Sequence, residues 1–84
     1  INITQNDIFT NSLEFDRSCE LLAERFDFTK RETKVFSLLM LGKENKEIAG
    51  ELAVSLATAK RLIYGIYNKM GVSNRLEFSR KLYT

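Results

Sequence analysis

The stretch Leu56–Met70, LATAKRLIYGIYNKM, constrains the fold more than any other part of this 84-residue chain. At helical spacing Ala59, Leu62, Ile63, Ile66 and Met70 recur at three- and four-residue steps, an apolar stripe that requires burial. Ala57, Lys60, Arg61, Tyr64 and Asn68 recur at the same steps on the opposite side, with cations, a phenol and an amide and no acid among them. A chain that carries such a helix must build a core under one face and leave the other open. One buried side and one positive, hydrogen-bonding side match what a DNA major groove admits.

The rest of the chain reads as the support for that helix. Phe15, Cys19, Leu22 and Phe26 stand at i, i+4, i+7 and i+11, so residues 12–27 form a helix, with Glu14 and Asp16 in the first turn where the dipole favours acids. Residues 1–11 have no helical period and read as a linker. Thr29 followed by Glu32 is a capping box that opens the next helix. Val35, Phe36, Leu38, Leu39 and Met40 give that helix a broad apolar side, and Gly42 ends it. Asn45 is expected to cap a third helix, Lys46–Ala53, which buries Ile48, Ala49 and Leu52. Ser55 is the N-cap expected for Leu56–Met70.

Two helices joined by so short a turn, with small Ala49 at their crossing, describe a helix-turn-helix. Such turns often contain Gly, and here Ala53 holds that place. Gly71 closes the long helix and Val72 turns inward. Ser73 or Asn74 then caps a last helix to about Tyr83, with Asn74 and Glu77 as a second capping pair. Leu76, Phe78, Leu82 and Tyr83 are spread too widely around that helix to meet one core, so one subset faces the domain and the other a partner.

Composition removes whole classes of function. Pro is absent and Gly scarce, which favours helices over a turn-rich β fold. No apolar run approaches the ~20 residues of a membrane span, and no signal peptide opens the chain. The single cysteine, Cys19, rules out an internal disulfide and fits a reducing compartment, here the cytoplasm. With no His and one Cys, neither a metal cluster nor the usual nucleophile–base pair can be assembled, and no Gly-rich phosphate loop is present. No enzymatic activity, cofactor or metal is expected. The net charge of +2 hides an asymmetry, −4 over residues 1–28 and +6 over residues 29–84, so a polyanion is drawn to the second part only. The first residue is Ile rather than Met, which predicts a piece of a longer protein whose sensor lies elsewhere.

Thr29-x-Arg31-Glu32, Val35, Leu38-Leu39, Gly42, Asn45-Lys46-Glu47-Ile48-Ala49, Leu52, Val54-Ser55, Thr58, Lys60, Ile66, Lys69, Gly71-Val72 and Asn74-Arg75-x-Glu77 form one pattern. It resembles the LuxR/NarL-type helix-turn-helix output domain of bacterial transcription regulators, from Phe28 to Leu82. The resemblance implies an all-α, compact four-helix domain over residues 28–84, preceded here by a connecting helix over residues 12–27. It implies double-stranded DNA as partner, a homodimer on DNA, RNA polymerase as a further partner, and a sensor or membrane region outside this chain. Carried over position by position, it puts base reading on Lys60, Arg61 and Tyr64 and phosphate binding on Asn45, Lys46, Thr58 and Lys69. It puts subunit pairing on the last helix, through Leu76, Ser79, Arg80 and Tyr83. The chain departs from the family pattern at Ala59 for the usual Val, Leu62 for a frequent His, Gly65 for a frequent Asn, and Lys34 for a common acid.

Plainer readings stand beside these. Taken singly, Lys60 and Arg61 are solvated surface cations, and only the helix-turn-helix frame makes them contacts. Tyr64 is expected outside and Tyr67 against the core. Lys46 lies in a first turn, where a cation is unfavourable unless the helix N-terminus meets phosphate. Arg31 is expected in a structural ion pair, and Cys19 as a small buried hydrophobe. Two other functions compete with DNA regulation. A sigma-factor-like promoter reader shares the Arg-Glu…Lys-Glu-Ile-Ala pattern, but the Gly71-Val72…Asn74-Arg75 continuation argues against it. A protein-interaction or dimerisation module without DNA binding has no use for the acid-free face of Lys60 and Arg61.

Overall fold

The structure, a computed structural model, describes residues 5–82, with side chains from residue 13 onward. The described chain is helical throughout: α1 (Gln5–Arg25), α2 (Lys30–Met40), α3 (Asn45–Leu52), α4 (Leu56–Met70) and α5 (Arg75–Leu82). The four-helix domain preceded by one extra helix is thus the observed architecture. One boundary differs: α1 begins at Gln5, so residues 5–11 are helix rather than linker. No Pro or Gly interrupts that stretch, and helix propagation adds a backbone hydrogen bond per residue without needing an apolar stripe. The linker reading of residues 1–4 lies outside the described residues.

α4 lies at the centre, packed on α3 and α2. Ala59, Ile63, Ile66, Tyr67 and Met70 are its buried positions, while Leu62 is half-buried at the margin of the same core. They meet Val35, Phe36, Leu38 and Leu39 from α2, Ile48 and Ala49 from α3, Val72, and Phe78 from α5. Cys19 brings α1 to this core, with Phe15, Leu22 and Phe26 packed against its edge. A run of aromatic rings crosses the molecule from the turn after α1 to α4. Phe26, Phe28, Phe36, Phe78 and Tyr67 follow one another at centroid distances of 5.8, 5.1, 5.8 and 5.8 Å. Such offset and edge contacts add directional preference to area burial. Around α5, Phe78 is buried and Leu82 packs on the core, whereas Leu76 points away with 59% of its surface exposed.

Local signals set the helix ends. Thr29 and Glu32 form the full capping box. Gly42 and Gly71 take the left-handed conformation (φ 80° and 73°) that ends α2 and α4. After Gly71 the chain closes with Val72 N–H on the Tyr67 carbonyl at 2.9 Å, which turns Val72 inward. Asn74 Oδ1 accepts from the Glu77 N–H at the start of α5, while the Glu77 carboxylate reaches back to the Ser73 N–H. The cap of α3 is a correction. Glu44, not Asn45, is its N-cap, and Asn45 is the first helical residue, with Glu47 accepting from the Glu44 N–H at 2.9 Å. Asn45 is thereby released from capping, and its side chain turns to α5 instead.

Candidate nucleic-acid interface

Ser55 fixes the start of α4: its Oγ accepts from the Thr58 N–H at 3.1 Å and lies 3.0 Å from the Thr58 hydroxyl. From that anchor the helix turns Lys60, Arg61 and Tyr64 outward, and all three are exposed, Tyr64 by 58%. Among the described residues neither Lys60 nor Arg61 is held by a hydrogen bond or an ion pair. The Tyr64 ring leans toward buried Tyr67 at 6.4 Å between centroids, so its base is supported while its hydroxyl end stays open. Tyr67 itself is buried, which pushes its phenol pKa up and keeps it neutral at ordinary pH. The expected division between an outer and an inner tyrosine is what the structure contains.

The helix-turn-helix corner is tight because Ala53 takes the left-handed conformation (φ 55°, ψ 45°), letting Val54 N–H close on the Ala49 carbonyl at 3.0 Å. The turn does without glycine by straining an alanine. α3 and α4 thereby pack directly, with Lys46 exposed in the first turn of α3 and Thr58 half-buried in the first turn of α4. Free N–H groups at two helix starts, an ammonium and a hydroxyl are groups that bind phosphate oxygens.

Lys69 has partners within the monomer: its ammonium lies 2.6 Å from Glu32 Oε1 and 2.8 Å from the Asp27 carbonyl. Burial alone pushes the Glu32 carboxyl pKa up, but the Lys69 ammonium and the Thr29 N–H outweigh it and hold the carboxyl below its ordinary range. The ion pair expected of Arg31 is therefore made by its neighbour, and Arg31 is exposed. Asn45 is half-buried, and its Oδ1 accepts from Arg75 Nη2 at 3.3 Å. No spacing in the sequence points to Arg75 as its partner, since the two residues are 30 positions apart. Along α5, Leu76 and Arg80 are exposed and Ser79 is half-buried, while Tyr83 lies outside the described residues.

Among the described residues no group of His, Cys, Asp and Glu is placed to hold a metal, and no helix is long and apolar enough to cross a membrane. Cys19 is buried, with its Sγ 3.7 Å from Met40 Sδ. Burial, followed by the Asp16 charge, pushes its thiol pKa up. A thiol in that state is a packing group rather than a nucleophile.

Over 49 residues, 58% of its length, the chain is 47% identical to the HTH-type transcriptional regulator MalT of Serratia proteamaculans (strain 568). It spans only 5% of the length of that relative. No solved structure matches it significantly. The model of the luxR family of bacterial regulatory proteins matches residues 27–82, which takes in α2 through α5, the corner at Ala53 and every exposed cation of α4. On that match, the chain belongs to the luxR family of bacterial regulatory proteins.

Proposed function

We propose that this domain binds double-stranded DNA with α4 in the major groove, as the output module of a longer bacterial transcriptional regulator. Lys60, Arg61 and Tyr64 read base edges, the cations favouring guanine N7 and O6. Asn45, Lys46 and Thr58 hold the duplex through its phosphates. Two copies pair through α5, using Leu76, Ser79 and Arg80 with Tyr83 beyond, and so address an inverted repeat. The remainder of the regulator carries the signal, and RNA polymerase is the machinery it acts on in the bacterial cytoplasm. One observation carries the reading: two unpaired cations and an exposed phenol share the outer face of the most deeply seated helix.

Base readers and phosphate binders separate in a binding assay. Arg61→Ala is expected to cost about 1–3 kcal/mol on the preferred site and to relax selection at one base pair. Lys46→Ala is expected to weaken every sequence alike and to reduce the salt dependence by about one phosphate contact. Equal losses on preferred and random DNA for Arg61→Ala would refute its base-reading role. A folded domain that shifts no DNA at low salt would instead be an interaction module without DNA binding.

A further inference from the structure

We infer that Arg75 is a positioning residue for phosphate binding, because it orients the Asn45 side chain with the amide nitrogen, not the oxygen, left for the DNA backbone. This inference rests on the proposed role of Asn45 as a phosphate contact.

Arg75 opens α5 and is half-buried. Its Nη2 donates to the Lys43 carbonyl at 2.8 Å and to Asn45 Oδ1 at 3.3 Å. The Arg75 charge also acts on buried Tyr67 of α4, opposing the rise that burial causes in its phenol pKa. One side chain therefore joins α5 to the loop that leads into α3.

A guanidinium has only donors, so the Asn45 atom it meets must be the oxygen. The two possible orientations of the amide are thereby reduced to one. Asn45 Nδ2 is left without a partner inside the domain. It carries two hydrogens and belongs to the first residue of α3, beside the helix's own free N–H groups and next to exposed Lys46. A phosphodiester oxygen is an acceptor only, and it gains from an amide nitrogen what it would lose to an amide oxygen. Without Arg75 the amide is free to present either atom, and the Lys43 carbonyl loses its partner.

The test is a double-mutant cycle in duplex binding at several salt concentrations. Arg75→Gln and Asn45→Ala should each lower affinity roughly 3- to 10-fold on preferred and random DNA alike. Together they should cost little more than either one, because Arg75 acts through Asn45. Additive losses would show that Arg75 acts independently of Asn45 and would overturn the inference. Arg75→Lys keeps the charge, but its shorter side chain ends short of the Nη2 position that meets both Lys43 and Asn45, so it should bind as weakly as Arg75→Gln; affinity equal to the parent chain also overturns it. Asn45→Asp guards against simple misfolding. It keeps an acceptor for Arg75, so thermal stability should hold, yet it places oxygens on both sides and should bind DNA less tightly than Asn45→Ala. Binding equal to or tighter than Asn45→Ala contradicts the proposed orientation. The free chain separates this inference from the function it rests on. The Asn45 side-chain amide signals in a nitrogen–proton correlation spectrum should move toward free-asparagine values in Arg75→Lys, with or without DNA. Unmoved signals would reject the orientation even if DNA binding is confirmed. A parent chain that binds no DNA removes the function and leaves the amide orientation to that spectrum.

Discussion

Ala53 stands where the corner between α3 and α4 is tightest, and at φ 55° its Cβ crowds the carbonyl that follows. Glycine has no such atom, so Ala53→Gly should raise stability by about 0.5–1 kcal/mol after its extra unfolded-state entropy is counted. Thermal unfolding should show a Tm a few degrees higher, with DNA affinity unchanged. A lower Tm would mean that the alanine methyl packs usefully despite the strain. Glu32 poses a second residue-scale question, because one carboxylate both caps α2 and holds Lys69. Its folded-state pKa lies below the ordinary 4.5, so its stabilisation is fully present above that value and is lost as pH falls through the depressed one. Glu32→Gln should flatten that acid limb in a plot of stability against pH. An unchanged limb would assign the acid sensitivity to other carboxylates.

At the scale of the element, α4 owes its place to both ends and one face. Ser55 and Gly71 define its length, and the buried stripe from Ala59 to Met70 sets its rotation. Gly65 is the weak point, a glycine inside a helix that costs up to about 1 kcal/mol relative to alanine. A Cβ there would meet Glu32 Oε2 at 3.5 Å, an ordinary contact. Gly65→Ala is therefore expected to stabilise the domain by roughly 0.5–1 kcal/mol, measurable as a higher urea midpoint with the same slope. Destabilisation would show that α2 and α4 have no room to spare at the Glu32–Lys69 contact. α5 carries the opposite lesson. Phe78 and Leu82 complete the core while Leu76 and Arg80 stay outside, so the wide spread of its apolar residues is a division between the inside and the outside of the domain.

For the molecule as a whole, charge and shape act together. The first 28 residues are net −4 and the remainder +6, so the leading helix is repelled by a polyanion that the four-helix part attracts. That polarity favours docking with α1 directed away from the duplex. Pairing through α5 makes a separable prediction, since Leu76 is exposed and plays no part in the core. Leu76→Glu should leave the fold and half-site binding intact and abolish the gain in affinity from a second half-site, as read by gel shift on single and paired sites. Retained cooperativity would move the subunit interface elsewhere on the surface.

The sequence alone determined the features whose causes are local. The period of Leu56–Met70 settles which face is buried, Thr29 with Glu32 and glycines 42 and 71 mark helix ends, and each works within a turn or two of itself. Even the cap of α3 lies only one residue from its expected place, at Glu44 instead of Asn45, both polar and both at the boundary. Only the tertiary structure decided what a polar side chain does once several partners come within reach. Lys69 meets Glu32 across 37 positions, and Arg75 meets Lys43 and Asn45 across 32 and 30. A long cationic side chain can satisfy its charge in water, on phosphate or on a neighbouring helix. Which one it finds depends on how the helices cross, and helical period carries no record of that.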